Sequence, residues 1–196
     1  MSIKAILLGV SYYPTLNLEP LPLCKNDIFS VRTALINGLK VDSHDIILCG
    51  KNGYVTIEDM VNALKLILNH STPHDTLIFY FSGHGGKNTL AFSDNFLNLQ
   101  SLIEVIESTP LKNKIIILDS CHSGSFSVHS PAQMALSETV ESFAGKGYAV
   151  LASCGSEQNS GFNPDRPISL YTSFLCDALN NPFLKMCIRD SYKTVH

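Results

Sequence analysis

Two short blocks of the sequence bring together residue types that can do nucleophilic chemistry. The first is Ser82-Gly83-His84-Gly85-Gly86, and the second is Asp119-Ser120-Cys121-His122-Ser123-Gly124. A free thiol ionises near pH ~8.5, so a nucleophilic cysteine needs an imidazole or a positive field beside it. His84 offers the imidazole. Gly83 and Gly85 flank it, and backbone without a Cβ can turn tightly and come close to a substrate. The amides of Gly85 and Cys121 are candidate donors to the oxyanion of a tetrahedral intermediate. Each residue also has a plainer reading: Cys121 alone as a small apolar core thiol, His84 alone as a turn residue. Their occurrence together, in two blocks of similar setting, favours a Cys-His dyad.

The setting is a strand end in both cases. Lys4 to Val10 reads as a buried strand, and Asp45 to Cys49, Thr76 to Phe81, Lys114 to Leu118 and Tyr148 to Ala152 read as four more. Continuous apolar runs bounded by turn residues suit a parallel sheet covered on both faces. Between them lie helical periods. One helix is expected from an N-cap at Asn26, with Ile28, Val31 and Leu35 on one face and a stop at Gly38. A second starts at Thr56, with Asp59 as its capping-box partner and Ile57, Met60, Val61, Leu64 and Leu68 in helical period. Leu99 to Ile106 and Tyr171 to Leu179 supply two more. This alternation predicts an α/β fold: three layers, α/β/α, with a mostly parallel central sheet and right-handed crossovers. Functional groups in such sheets collect beyond the carboxyl ends of the strands. His84 and Cys121 then share one rim, and they meet if their strands are neighbours.

Composition narrows the alternatives. A chain of 196 residues with a formal charge of −3 presents no basic field for nucleic acid or for an acidic membrane surface. No run reaches the roughly 18 apolar residues needed to span a bilayer, and Met1-Ser2-Ile3-Lys4 leads into a strand without the features of a signal peptide. A cytoplasmic location is expected. The six cysteines are Cys24, Cys49, Cys121, Cys154, Cys176 and Cys187. They show no C-x-x-C pairing and read as reduced thiols, with most of them in the core. Gly83-His84-Gly85-Gly86-Lys87 lacks the spacing of a phosphate loop, and no G-x-S-x-G elbow supports an α/β-hydrolase.

The two blocks resemble the catalytic histidine and cysteine blocks of the caspase-like cysteine peptidases. They are similar to metacaspases, paracaspases and their bacterial relatives rather than to animal caspases, which carry Q-A-C-x-G at the nucleophile. The resemblance covers the chain from the first strand to the helix containing Tyr171-Thr172-Ser173-Phe174. It implies a cysteine endopeptidase with Cys121 as nucleophile and His84 as base. It also implies a primary pocket lined by Asp119, two residues before the nucleophile. A second pocket aspartate, Asp27, lies in Leu21-Pro22-Leu23-Cys24-Lys25-Asn26-Asp27, where Leu23 stands in place of the family's usual glycine. Ser82 is assigned with them to substrate binding, and Glu157 is a candidate third acidic wall. Two carboxylates in one pocket favour a cation, and a guanidinium engages them through its planar fork. The expected partner is a protein or peptide substrate with Arg, or less readily Lys, before the cut. The alternative is a catalytically silent module of the same fold that binds Arg-containing segments.

Many metacaspases need calcium. Here Asp94 is the one acid between Lys87 and Leu99, and Glu138 and Glu141 are the acids between Cys121 and Lys146. A hard cation wants several oxygen ligands, so no metal or other cofactor is expected to be required. The linker from Ser123 to Gly145 contains no Lys or Arg, so an Arg-specific enzyme is expected to work as an uncut chain. Met186-Cys187-Ile188-Arg189-Asp190-Ser191 resembles a translated sequencing adapter. The peptidase domain is therefore expected to occupy residues 1–185, truncated at its C-terminus, with 186–196 a non-native tail and a regulatory domain or partner missing from the chain.

Overall fold

A computed structural model describes residues 1–86, 89–122, 148–152 and 165–181, with 121, 122, 148–150 and 152 described as backbone. Among the described residues seven strands form one sheet: β1 (Ile3–Gly9), β2 (Ile46–Cys49), β3 (Thr76–Gly86), β4 (Thr89–Ala91), β5 (Phe96–Asn98), β6 (Asn113–His122) and β7 (Tyr148–Ala152). Four α-helices among the described residues accompany them: α1 (Cys24–Leu39), α2 (Ile57–Leu68), α3 (Leu99–Glu107) and α4 (Leu170–Asn180). The parallel strands run in the order β2-β1-β3-β6-β7. After β1 the chain steps outward to β2, then returns across β1 to β3 and continues to the other side. The direction reverses between β1 and β3, and the crevice beyond that reversal is where open α/β sheets bind ligands.

Both faces are covered, as the unbroken apolar runs require. Ile6, Leu8, Phe79, Phe81, Ile116 and Leu118 pack under α2 and α3 through Met60, Leu64, Leu102 and Ile106. Ala5, Leu7, Ile78, Tyr80 and Ile117 face α1 and α4 through Ile28, Val31, Leu35 and Cys176. The α2 start is as expected: Thr56 Oγ1 accepts from the Asp59 amide at 3.0 Å, and Asp59 accepts from the Thr56 amide at 2.8 Å.

Helix α1 differs from expectation at both ends. It begins before Asn26, with Leu23 at the N-cap and no side-chain cap, and the Asn26 side-chain amide instead donates to the Pro167 carbonyl at 2.9 Å. Gly38 does not stop it. A Cβ there would run into the Leu179 carbonyl, so glycine serves the close crossing of α1 and α4, and Lys40 takes the left-handed cap at φ 59°. Ser82 to Gly86 and Asp119 to His122 also sit inside the ladder rather than past it, because β3 runs on to Gly86 and β6 to His122. Beyond Ser82, β4 pairs antiparallel with β3 and then with β5. This short ribbon was not legible in the sequence. The linker from Ser123 to Gly145, Glu157 and the tail 186–196 lie outside the described residues.

Candidate active site

Strand pleat sorts the functional residues. In the β3–β6 register Ser82 stands opposite Asp119 and His84 opposite Cys121. Parallel partners share a sheet face, and so do residues two apart. Ser82, His84, Asp119 and Cys121 are thereby assigned to the face covered by α1 and α4, one and two pleats beyond the apolar Tyr80 and Ile117. The strand neighbourhood that the dyad requires is present.

Asp27 reaches this row from α1 because of Gly9. A Cβ on Gly9 would lie 2.5 Å from the Cys24 carbonyl, so only glycine lets the first turn of α1 rest on the sheet there. Gly9 is also the register partner of Ser82. In that first turn, Asp27 meets Ser82, whose Oγ donates to Asp27 Oδ2 at 2.7 Å.

Asp27 and Asp119 are both buried, and each accepts from Ser169, the residue that caps α4. The Ser169 amide donates to Asp27 Oδ1 at 2.8 Å, and its hydroxyl donates to Asp119 Oδ2. Thr172 Oγ1 donates to the same Asp119 oxygen at 2.8 Å. With that proton committed, the Tyr80 hydroxyl donates to Thr172 Oγ1 at 2.5 Å. Burial pushes the Asp27 carboxyl up to about 7; the Ser82 and Ser169 hydrogen bonds oppose the rise and the nearby Asp119 charge adds to it. Burial, with both carboxylates nearby, also raises the Tyr80 phenol well above its ordinary value.

His84 is held on two sides. Its amide donates to the Tyr13 hydroxyl at 2.9 Å, and that hydroxyl donates to the Val10 carbonyl at 2.7 Å. Tyr13 thus takes the place of a strand partner just where β1 has ended, and its ring lies 4.9 Å from the imidazole. On the ring, Nε2 lies 2.7 Å from the Glu19 carbonyl. A carbonyl only accepts, so Nε2 carries a proton, and neutral His84 keeps its lone pair on Nδ1. That Nδ1 is buried without a hydrogen-bond partner among the described residues. Amide directions alternate along a strand, so with the His84 amide turned to Tyr13, that of Gly85 belongs to the β6 edge, where Cys121 lies.

Two other thiols have no comparable setting. Burial pushes Cys49 up to about 11 and Cys176 up to about 12, which leaves both as inert thiols at neutral pH. Cys49 lines an open groove of about 570 Å³ between β2 and α2, together with Lys51, Tyr54, Asp59 and Leu66. No His lines that groove among the described residues. Among the described residues no group of three or more His, Cys, Asp or Glu side chains is arranged to hold a metal ion, and no helix is long and apolar enough to cross a membrane.

The reading of the sequence placed Asp27, Ser82, His84, Gly85, Asp119 and Cys121 in one region, and the fold brings their backbone positions together. It passed over Tyr13, the Glu19 carbonyl, Ser169 and Thr172. Ser169 carried a visible signal as a helix N-cap, but nothing local tied it to two distant carboxylates.

Comparison with known proteins agrees with this architecture. The caspase domain family model matches residues 2–196. Metacaspase-1 of Schizosaccharomyces pombe is 30% identical over 89 residues, covering 43% of this chain and 20% of that protein. Metacaspase-1 of Saccharomyces cerevisiae is 26% identical over 145 residues, covering 62% of this chain and 33% of that protein. Metacaspase-1 of Lodderomyces elongisporus is 28% identical over 152 residues, with the same two shares. The chain thus spans about a third or less of these relatives. A family model that fits from the first strand to the last residue, on a sheet whose register pairs a histidine with a cysteine, makes this chain a member of the caspase domain family of cysteine peptidases, metacaspase type.

Proposed function

We propose that the protein is an endopeptidase that cuts after Arg, and less readily after Lys, through a Cys121–His84 dyad. The observation that carries the reading is the double register Ser82↔Asp119 and His84↔Cys121, with Asp27 hydrogen-bonded into the same row. His84 Nδ1 takes the proton of Cys121, and the thiolate attacks the carbonyl carbon of the scissile bond. The developing oxyanion is received by the amides of Gly85 and Cys121. Nδ1–H then protonates the leaving amine, the C–N bond breaks, and a thioester remains. Water, losing its proton to Nδ1, hydrolyses the thioester and restores the thiol. The Glu19 carbonyl holds Nε2–H throughout, so the ring keeps the tautomer that works as a base.

Asp27 and Asp119 serve as the primary pocket, and Ser82 positions Asp27. Two carboxylates within coulombic reach of one another welcome a guanidinium, which delivers several donors in one plane. The direct test is a peptide panel varied at the residue before the cut, run on the purified chain with Cys121→Ala as control. Cysteine-dependent cleavage after Arg is the expected result. A preference for Asp at that position, or turnover that survives Cys121→Ala, sinks the reading. Tight binding of Arg peptides by a protein that cuts none of them identifies the silent module instead.

A further inference from the structure

We infer that Ser169 is the positioning residue of the specificity pocket: one residue, at the head of α4, ties the two acids into a single cation-reading unit. This rests on the reading of Asp27 and Asp119 as the primary pocket. The acids come from distant places, Asp27 from the first turn of α1 and Asp119 from the carboxyl end of β6. Ser169 touches both, by its amide to Asp27 at 2.8 Å and by its hydroxyl to Asp119. It does so while its Oγ accepts from the Thr172 amide at 3.1 Å as the α4 N-cap, which fixes its rotamer from the helix side. Thr172, three residues on, donates to the same Asp119 oxygen. Helix α4 therefore carries donors that hold Asp119, and α1 and α4 are locked together where Gly38 meets Leu179.

The physical consequence follows from like charge. Two buried carboxylates near each other tend to share a proton, and a shared proton halves the charge offered to a substrate cation. Hydrogen bonds donated to a carboxylate favour its ionised form. The Ser169 hydroxyl gives Asp119 such a bond, and the backbone amide gives Asp27 one that no side-chain change removes. Without the hydroxyl, Asp119 loses a donor and the fixed spacing to Asp27, and the pocket becomes a poorer receptor for a guanidinium.

The test compares the full chain with Ser169→Ala and Ser169→Thr on two peptides that differ only in Arg or norleucine before the cut. Ser169→Ala is expected to raise KM for the Arg peptide about tenfold or more, with kcat unchanged and the Arg-over-norleucine preference reduced by a similar factor. Ser169→Thr, which keeps the hydroxyl, restores both. A purely structural cap would instead lower the melting temperature and leave the KM of the folded enzyme alone. Unchanged KM in a folded Ser169→Ala protein overturns the proposal. A lowered KM overturns it too, since Ser169 would then be competing with the substrate cation. If Ser169→Ala does not fold, Ser169→Gly takes its place, since glycine is tolerated at a helix N-cap and likewise removes the hydroxyl that donates to Asp119. The same KM rise is expected from it, and an unchanged KM overturns the proposal. Wild type that shows no preference for Arg over norleucine is a separate result, and it removes the pocket reading itself together with this inference.

Discussion

The two faces of strands β3 and β6 are built from the same stretches of chain, yet they end differently. Toward α2 and α3 the face stays apolar through Phe81 and Leu118, where Phe81 meets Phe92 with ring centroids 5.5 Å apart, and runs on into the small residues Gly83, Gly85 and Ser120. Toward α1 and α4 it is apolar through Tyr80 and Ile117 and then turns polar within one pleat, at Ser82 and Asp119. Burying a polar group is costly unless it is hydrogen-bonded. The polar face meets that cost with donors brought from the sheet and from the head of α4: Ser82 and Ser169 for Asp27, Ser169 and Thr172 for Asp119. One face stabilises by excluded water and close packing, the other by satisfied hydrogen bonds. His84 Nδ1, left without a partner among the described residues, is the atom that the proposed dyad calls on.

The largest effect expected from breaking the polar face is on turnover. Cys121→Ala or His84→Ala should reduce peptide cleavage to background, a loss of about a thousandfold or more, with the melting transition retained. Steady-state rates with an Arg peptide, read beside the melting curve, check this. Substantial turnover in either variant reassigns the nucleophile or the base.

Breaking the apolar face should do the reverse. Phe79 is fully buried, and Phe79→Ala should destabilise the fold by about 3–5 kcal/mol through lost transfer energy and the cavity left behind. Activity per folded molecule should hold. Denaturant unfolding gives the first quantity and active-site titration the second. A variant that kept its stability but lost specific activity would mean the two faces are not separable in this way.

The acid pair sharpens the contrast, because here stability and function pull apart. Asp27→Asn and Asp119→Asn should each cost about 2–5 kcal/mol in kcat/KM for an Arg substrate, each by removing one partner of a buried charge pair. For stability, the sign follows from the direction of the shift. Asp27 is raised from 3.8 to about 7 in the folded protein, so its contribution is fully present below 3.8 and is lost as pH rises through 7. The uncharged amide of the Asp27→Asn variant carries no such dependence. The melting temperature of Asp27→Asn relative to wild type should therefore climb from about pH 4 to about pH 8, even as cleavage after Arg falls. A difference that stays flat with pH would mean that Asp27 is ionised throughout.

Much of this was legible in the sequence because it is local. Apolar runs specify the parallel strands, helical period and the Thr56–Asp59 box specify α2, and two blocks at strand ends mark His84 and Cys121 as candidates that the register makes neighbours. The resemblance to the caspase-like peptidases added Asp27 and Asp119, which local chemistry alone reads as helix-turn and strand-end acids. Local rules also failed in places. Asn26 looked like a cap but was taken up by the Pro167 carbonyl, and Gly38 looked like a stop but served a helix crossing.

What the sequence determined by itself was the five parallel strands, the four helices and their order, without β4 and β5, since periodicity, caps and turn residues act within a few positions. The tertiary structure alone decided the partners of each functional group. Glu19 and His84 are 65 positions apart, and Asp27 and Ser169 are 142 apart. Contacts at that range depend on which strands become neighbours and on how closely helices can approach the sheet. Here the reversal between β1 and β3 sets the first. Gly9, under the Cys24 carbonyl, sets the second, because a side chain there would have held α1, and Asp27 with it, away from the row that contains His84 and Cys121.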